Sequence, residues 1–248
     1  MGLVIKGSKV FVDHGSNEHL VTTPEGNPKR YKVKNAFGEL DVFSVFTRLK
    51  ASSRSRKDRS GRMVGDNCPL IYALKGKEGL TTGYQSIREL LISGAAIIRA
   101  FQPEGDEVLV PAPSSHPLVS YMTRILSAQL NLQVAESLLC KSSVQSVVAD
   151  LNAAIEVSTS YQVRKDLRNT VHKLQRQEVF ALKEVPTTYR ELIRPFEVGV
   201  GKLPDGQRRV VLVDDLVASG TSLIGGMRVL KDRYPEAEFR AITLFSNV

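Results

Sequence analysis

An α/β fold organised around a parallel sheet, with a small strand-rich N-terminal extension, is the architecture this sequence predicts. Beyond about residue 66, short apolar runs alternate with segments of helical period, as in strands joined by crossover helices. The clearest run, RRVVLV (Arg208–Val213), is continuously apolar after its arginines, as suits a strand buried on both faces. Before that point the runs are strand-like and separated by the turn residues GSN and EGNP, with no helical period.

In the N-terminal part, VIKGSKVFV, HLVTT and RYKVKNAFGELDVFSVF are expected as strands. Arg48 to Arg62, RLKASSRSRKDRSGR, has no apolar period and many serines, which predicts a basic loop. The stretch IRELLISGAAIIRAF then places Ile87, Leu90, Leu91, Gly94, Ile97 and Ile98 on one helical face. DEVLV (Asp106–Val110) is a short strand broken by PAPSSHP, and the next helix carries Leu118, Met122, Ile125 and Leu126. NLQVAESLLC predicts a second strand and VQSVVADLNAAIEV a second helix. From Tyr161 to Arg176, Val163, Leu167, Val171 and Leu174 form an apolar stripe on an otherwise basic helix. EVFALKEV is strand-like, and the segment from there to Gly206 has no assignable pattern. The chain closes on strand RRVVLV, a loop, helix SLIGGMRVLKDRY and strand FRAITLF. Two regions are therefore expected, a basic strand-rich one over 1–66 and an α/β domain over 67–248.

Composition narrows the function. With 42% hydrophobic and 24% charged residues the chain has the makeup of a soluble globular protein. Its apolar runs fall short of the roughly 18 residues that would suggest a membrane span. The start, MGLVIKGSKVFVDHG, lacks the basic-then-apolar layout of a secretory signal, so a cytoplasmic location is expected. Two cysteines, Cys68 and Cys140, make neither a disulfide framework nor a metal cluster, and no metal site built from protein ligands is expected. Between Lys29 and Arg62, eleven Lys or Arg stand against three Asp or Glu, a local excess equal to the net charge of +8 for the whole chain. That concentration leaves two readings open, a solvated loop or a contact with a phosphate-rich ligand or nucleic acid.

The most informative stretch is VVLVDDLVASGTS, Val210–Ser222. Asp214 and Asp215 fall at the carboxyl end of a parallel strand, where open α/β sheets bind ligands. Adjacent carboxylates repel unless donors lie beside them, and the vicinal hydroxyls of a sugar are such donors. The loop that follows offers Gly220 for a tight turn, the hydroxyls of Ser219, Thr221 and Ser222, and the free amides of a helix start. Acids for the sugar followed by amides for an anion fit a ribose 5-phosphate. The other nucleotide-binding fingerprints, G-x-x-x-x-G-K-[ST] and G-x-G-x-x-G, do not occur.

This stretch resembles the phosphoribosyl pyrophosphate (PRPP) signature of type I phosphoribosyltransferases. The resemblance implies that Asp214 and Asp215 bind the ribose hydroxyls and act in catalysis, and that Ala218, Ser219, Gly220, Thr221 and Ser222 bind the 5-phosphate. PAPSSHP resembles the family's pyrophosphate loop, with Ala112, Pro113, Ser114 and Ser115 facing the diphosphate and His116 beside them. The order CPLIYALKGKEGL, helix, VLVPAPSSHP, long middle and VVLVDDLVASGTS is similar to ComF-like phosphoribosyltransferases, a group associated with DNA uptake. The implied fold is a type I phosphoribosyltransferase core, and the implied activity is transfer of ribose 5-phosphate from PRPP–Mg²⁺ to an amine or base, with diphosphate released. A non-catalytic PRPP or nucleotide sensor, or a nucleic-acid-associated protein of the same fold, stays open as an alternative. The partners implied are PRPP or a nucleotide, a nucleic acid or protein at Arg48–Arg62, and a second copy in a homodimer, with no membrane. Lys141 is a further candidate for reaching the diphosphate. Either Arg164–Arg176 or Arg48–Arg62 could close over the site, and the N-terminus with residues 183–206 could form an acceptor hood.

Overall fold

A computed structural model describes residues 2–16, 18–49 and 68–247. Strands β1 (Gly2–Lys6) and β2 (Lys9–Asp13) form a hairpin, followed by β3 (Lys29–Asn35) and β4 (Gly38–Phe46). Then come α1 (Pro69–Leu74), β5 (Thr81–Thr82), α2 (Tyr84–Ile98), β6 (Glu107–Pro111), α3 (Leu118–Leu130), β7 (Gln133–Val134) and β8 (Leu139–Lys141). Helices α4 (Val144–Val157) and α5 (Tyr161–Leu174) and two 3₁₀ turns lead to β9 (Phe196–Val198), and β10 (Arg209–Leu216), α6 (Thr221–Arg233) and β11 (Glu238–Phe245) end the fold.

The fold is α/β, and its centre is a six-stranded sheet in the order β3-β4-β11-β10-β6-β7. All neighbouring pairs in it are parallel except β3 with β4. Alternate side chains of each central strand enter two different cores. Leu109, Val211, Val213, Ile242 and Phe245 pack with α1, α2 and α3 on one face. Val108, Val110, Val210, Leu212 and Ala241 pack with α6 on the other. Both faces are covered, which is why β10 is apolar without alternation.

The N-terminal strands divide between two sheets. β1 and β2 join β5, whereas β4 adds to β11 and carries β3 to the sheet edge. The boundary expected between residues 66 and 67 and most of the basic loop Arg48–Arg62 lie outside the described residues.

Four local expectations are corrected. HLVTT makes a single bridge, Leu20 to Arg48, rather than a strand. NLQVAESLLC is split into β7 and β8, which belong to different sheets, by a bend in which Ser137 takes a φ of 57°. EVFALKEV turns into the first 3₁₀ segment, Leu182–Glu184, because Phe180 and Val185 are drawn into the same core at a spacing no strand provides. On α2, Leu90, Gly94, Ile97 and Ile98 are buried as expected, but Leu91 is exposed and the buried face extends to Ser86 and Ser93; Ser86 Oγ accepts the Val12 amide at 3.1 Å, docking α2 on β2.

Residues 142–195 form an insertion on the β8–β9 stem. α4 and α5 pack around Val147, Leu151, Leu167 and Leu174, and Phe180, Val185 and Ile193 complete this third core. Ser143 and Ser160 cap the two helices, accepting the amides of Ser146 and Val163.

Candidate functional site

The site is set by one register. β6 and β10 are parallel neighbours in which Val213 lies opposite Pro111, so the segments following them leave the sheet side by side. Ala112–Ser115 thereby stand next to Asp214 and Asp215, near the carboxyl end of β10. Together they line a cavity of about 380 Å³. Its other wall comes from the insertion and its stem, through Lys141, Phe180, Leu182, Arg190 and Phe196.

The two acids differ. Asp215 is 6% exposed, and its Oδ2 is 2.5 Å from Lys75 Nζ at the end of α1. Asp214 accepts the Asp215 amide through Oδ1 at 2.8 Å. Burial of its carboxyl, and then the neighbouring Asp215 charge, raise its pKa to about 7, against the smaller opposing pull of that amide and of Lys75. A carboxyl that holds its proton more tightly folded than unfolded stabilises the fold fully only below its ordinary value of 3.8, and loses that contribution as pH rises through about 7. The urea midpoint should therefore fall between pH 5 and pH 8, and Asp214→Asn should flatten the fall. Lys75→Met, by removing the cation that favours ionisation, should move it to higher pH. An unchanged profile in Asp214→Asn would exclude this assignment.

On the opposite side the cavity is cationic. Burial lowers the Lys141 pKa, and repulsion from Lys77 and Lys75 lowers it further. Lys141 and Lys183 line this side of the cavity and Lys75 lines it while paired with Asp215, a basic lining that suits an anion.

The loop after β10 is shaped by its glycine. Gly220 has a φ of 79° and precedes α6, and a Cβ placed on it would stand 2.7 Å from Val33 Cβ. Ala218 and Ser219 are exposed, Gly220 and Thr221 buried, and Ser222 reaches the cavity. Ser219 and Thr221 hydroxyls pair at 2.8 Å. Among the described residues, the amides of Ala218 through Leu223 donate to no protein acceptor, while Ile224 already bonds Gly220. A helix start with this many open donors attracts an anion. In the loop after β6 the Ala112 amide is spent on the Val213 carbonyl at 2.8 Å, and Pro113 has none, so the free amides there are those of Ser114 and Ser115. His116 lies outside the cavity lining; its Nδ1 accepts the Leu118 amide at the start of α3.

The expected residues thus converge on one place: Asp214, Asp215, Ser222, Ala112–Ser115 and Lys141 line the cavity, and Ala218–Thr221 form the turn leading into it. Arg164–Arg176 does not line it. Sequence reasoning missed Lys75, for which the only signal was the K-G-K run ending a short helix, and Phe180 and Leu182, for which there was none; Arg190 and Phe196 fall within 183–206, expected as part of an acceptor hood but not singled out there.

Residues 182–247 match the family model described as a phosphoribosyl transferase domain. That segment includes β10, the Asp214–Asp215 pair and the turn after it. No curated protein matches the chain. Among solved structures, adenine phosphoribosyltransferase from Leishmania tarentolae aligns over 99% of this chain and 94% of its own, at 12% identity and a TM-score of 0.30.

Proposed function

We propose that the protein is a phosphoribosyltransferase of the ComF-like kind that holds PRPP between the β6 and β10 loops and transfers its ribose 5-phosphate to an amine or base. The observation that carries this reading is the meeting of two adjacent carboxylates, an amide-rich turn and a cluster of lysines around one cavity. Its α/β core over 67–248 would do the chemistry, with 1–66 as an appended region contributing sheet strands.

In this mechanism the Ala218–Ser222 turn and the start of α6 fix the 5-phosphate. Asp214 and Asp215 accept hydrogen bonds from the ribose hydroxyls and orient the ring. As the bond from C1 to the diphosphate breaks, positive charge grows on the sugar, and the fixed carboxylates favour it. Lys75 and Lys141 face the departing diphosphate, assisted by the amides of Ser114 and Ser115. The donor set fits Mg²⁺: a carboxyl whose proton is held only by burial and a like charge would welcome a divalent cation, and this ion commonly takes one or two carboxylates with the rest of its shell from phosphate and water. The ion would be bound through PRPP, with Asp214, which has no ion pair among the described residues, the one carboxylate of the lining free to contact it, and it would neutralise charge on the diphosphate. The closing wall is the insertion, which limits water around C1.

A second reading is supported by the Lys75–Asp215 ion pair, which ties up one of the two acids. On it the chain senses PRPP or a nucleotide without turning it over, working in the cytoplasm with a nucleic acid or protein partner at Arg48–Arg62, or as a homodimer. Calorimetry with PRPP and Mg²⁺, followed by a diphosphate-release assay against a panel of amines and bases, separates the two. The transferase reading expects binding and release. Binding with no release under any acceptor leaves the sensor, and no binding at millimolar PRPP removes both.

A further inference from the structure

We propose that Arg190 is the specificity residue of the acceptor half of the cavity, and that the acceptor is a flat ring carrying an acidic group, such as a carboxylated base. The inference rests on the phosphoribosyltransferase reading and adds the chemical class of the acceptor to it.

Arg190 lies in the second 3₁₀ segment, Thr187–Leu192, and lines the same cavity as Asp214, Asp215 and Lys141. Its Nε donates to the Val185 carbonyl at 3.0 Å, which fixes the plane of the guanidinium. Its two terminal amino groups meet no carboxylate and no other acceptor among the described residues. Three other arginines of the fold are paired with acids, Arg194 with Asp150 at 3.1 Å, Arg209 with Glu238 at 3.0 Å, and Arg240 with Glu107, and none of the three lines this cavity. Burial lowers the Arg190 pKa with no acid to oppose it. A guanidinium taken partly out of water without a counter-charge costs free energy, which an anionic guest would offset. Its planar fork of donors suits a carboxylate in two-point contact.

The surroundings give the rest of the guest. Phe180, Leu182, Pro195 and Phe196 line the same cavity, the two phenylalanines, 3% and 7% exposed, being anchored in the cores behind it. Buried rings and aliphatic groups form a wall for a flat apolar body. The phosphate groups of PRPP already have donors elsewhere, in Lys75, Lys141 and the two amide-bearing loops. Arg190 belongs instead to the insertion, the wall of the cavity that carries neither the acids nor the amide-bearing loops.

Anionic chemistry alone would also suit a phosphate, so the test separates the two sources. Affinities of the full chain would be measured by calorimetry for orotidine 5′-monophosphate, whose base bears a carboxylate, for uridine 5′-monophosphate, whose base does not, and for PRPP–Mg²⁺. The wild-type chain should prefer the carboxylated nucleotide by about 10- to 100-fold. Arg190→Gln should erase that preference while leaving uridine 5′-monophosphate and PRPP within about twofold, and Arg190→Lys should restore part of it. Equal wild-type affinities overturn the proposal, and this comparison needs no variant to fold. A loss of PRPP affinity in Arg190→Gln overturns it as well, assigning the cation to a phosphate. If none of the three ligands binds, the transferase reading itself falls, an outcome distinct from equal binding of both nucleotides.

Discussion

Asp215→Asn is expected to reduce diphosphate release from PRPP by at least about a hundredfold, the scale on which losing one fixed electrostatic contact to a developing charge is felt. The substitution keeps the side chain's shape and removes its charge at the point where the sugar becomes cationic. The fold should survive. Lys75, deprived of Asp215, keeps Asp214 nearby and reaches cavity water, its side chain being 17% exposed. The structural cost is then about 1–2 kcal/mol, below that of stranding a fully enclosed ion. A diphosphate assay beside a thermal melt reads both quantities. Turnover near the wild-type rate would remove Asp215 from the sugar, and collapse of the melt would make the pair a structural brace.

Gly220→Ala is expected to destabilise the protein by about 2–5 kcal/mol and to abolish measurable PRPP affinity. Two costs add. A left-handed backbone costs a non-glycine residue about 1–2 kcal/mol, and the φ here is 79°. The new methyl would also stand 2.7 Å from Val33 Cβ and 2.9 Å from its Cγ1, and overpacking of that kind costs about 1–3 kcal/mol. Val33 is 5% exposed within the β3 edge strand, so it has little room to yield. Adding Val33→Ala should recover the packing part and leave the backbone part, a non-additivity readable from urea midpoints. Because the same glycine sets the direction of the open amides, affinity should stay low in the double variant. Full recovery of binding would show that the turn does not need its left-handed residue.

Much of this was legible before any coordinates. The apolar run of β10, the acids at its end and the small loop after it state their own geometry, because strand, carboxylate pair, glycine and helix start are consecutive in sequence. Adjacency of β6 to β10 is a different kind of fact. It depends on long-range pairing, and the PAPSSHP turn alone could have ended any strand. The same limit hid the route by which β4 joins β11, and the reach of Lys75 across the fold to Asp215. Periodicity found most of the buried face of α2 but not Ser86, whose hydroxyl receives the Val12 amide, because local hydropathy cannot register a partner 74 residues away. It failed over 178–192, where a wall built of 3₁₀ turns has neither helical nor strand period. Phe180 was invisible for that reason, and Arg190 was legible only as one residue of the segment 183–206 expected as a hood.

The insertion between β8 and β9 has its own interior, in which Val147, Leu151, Leu167 and Leu174 satisfy one another. A unit that stabilises itself and hangs from a short stem can change its outer surface without disturbing the register of the sheet beneath it. Lineages could retailor which guest is admitted while the grip on the sugar stays as it was, and a protein engineer could exchange the whole cassette at Cys140 and Glu197, the paired residues midway along that stem.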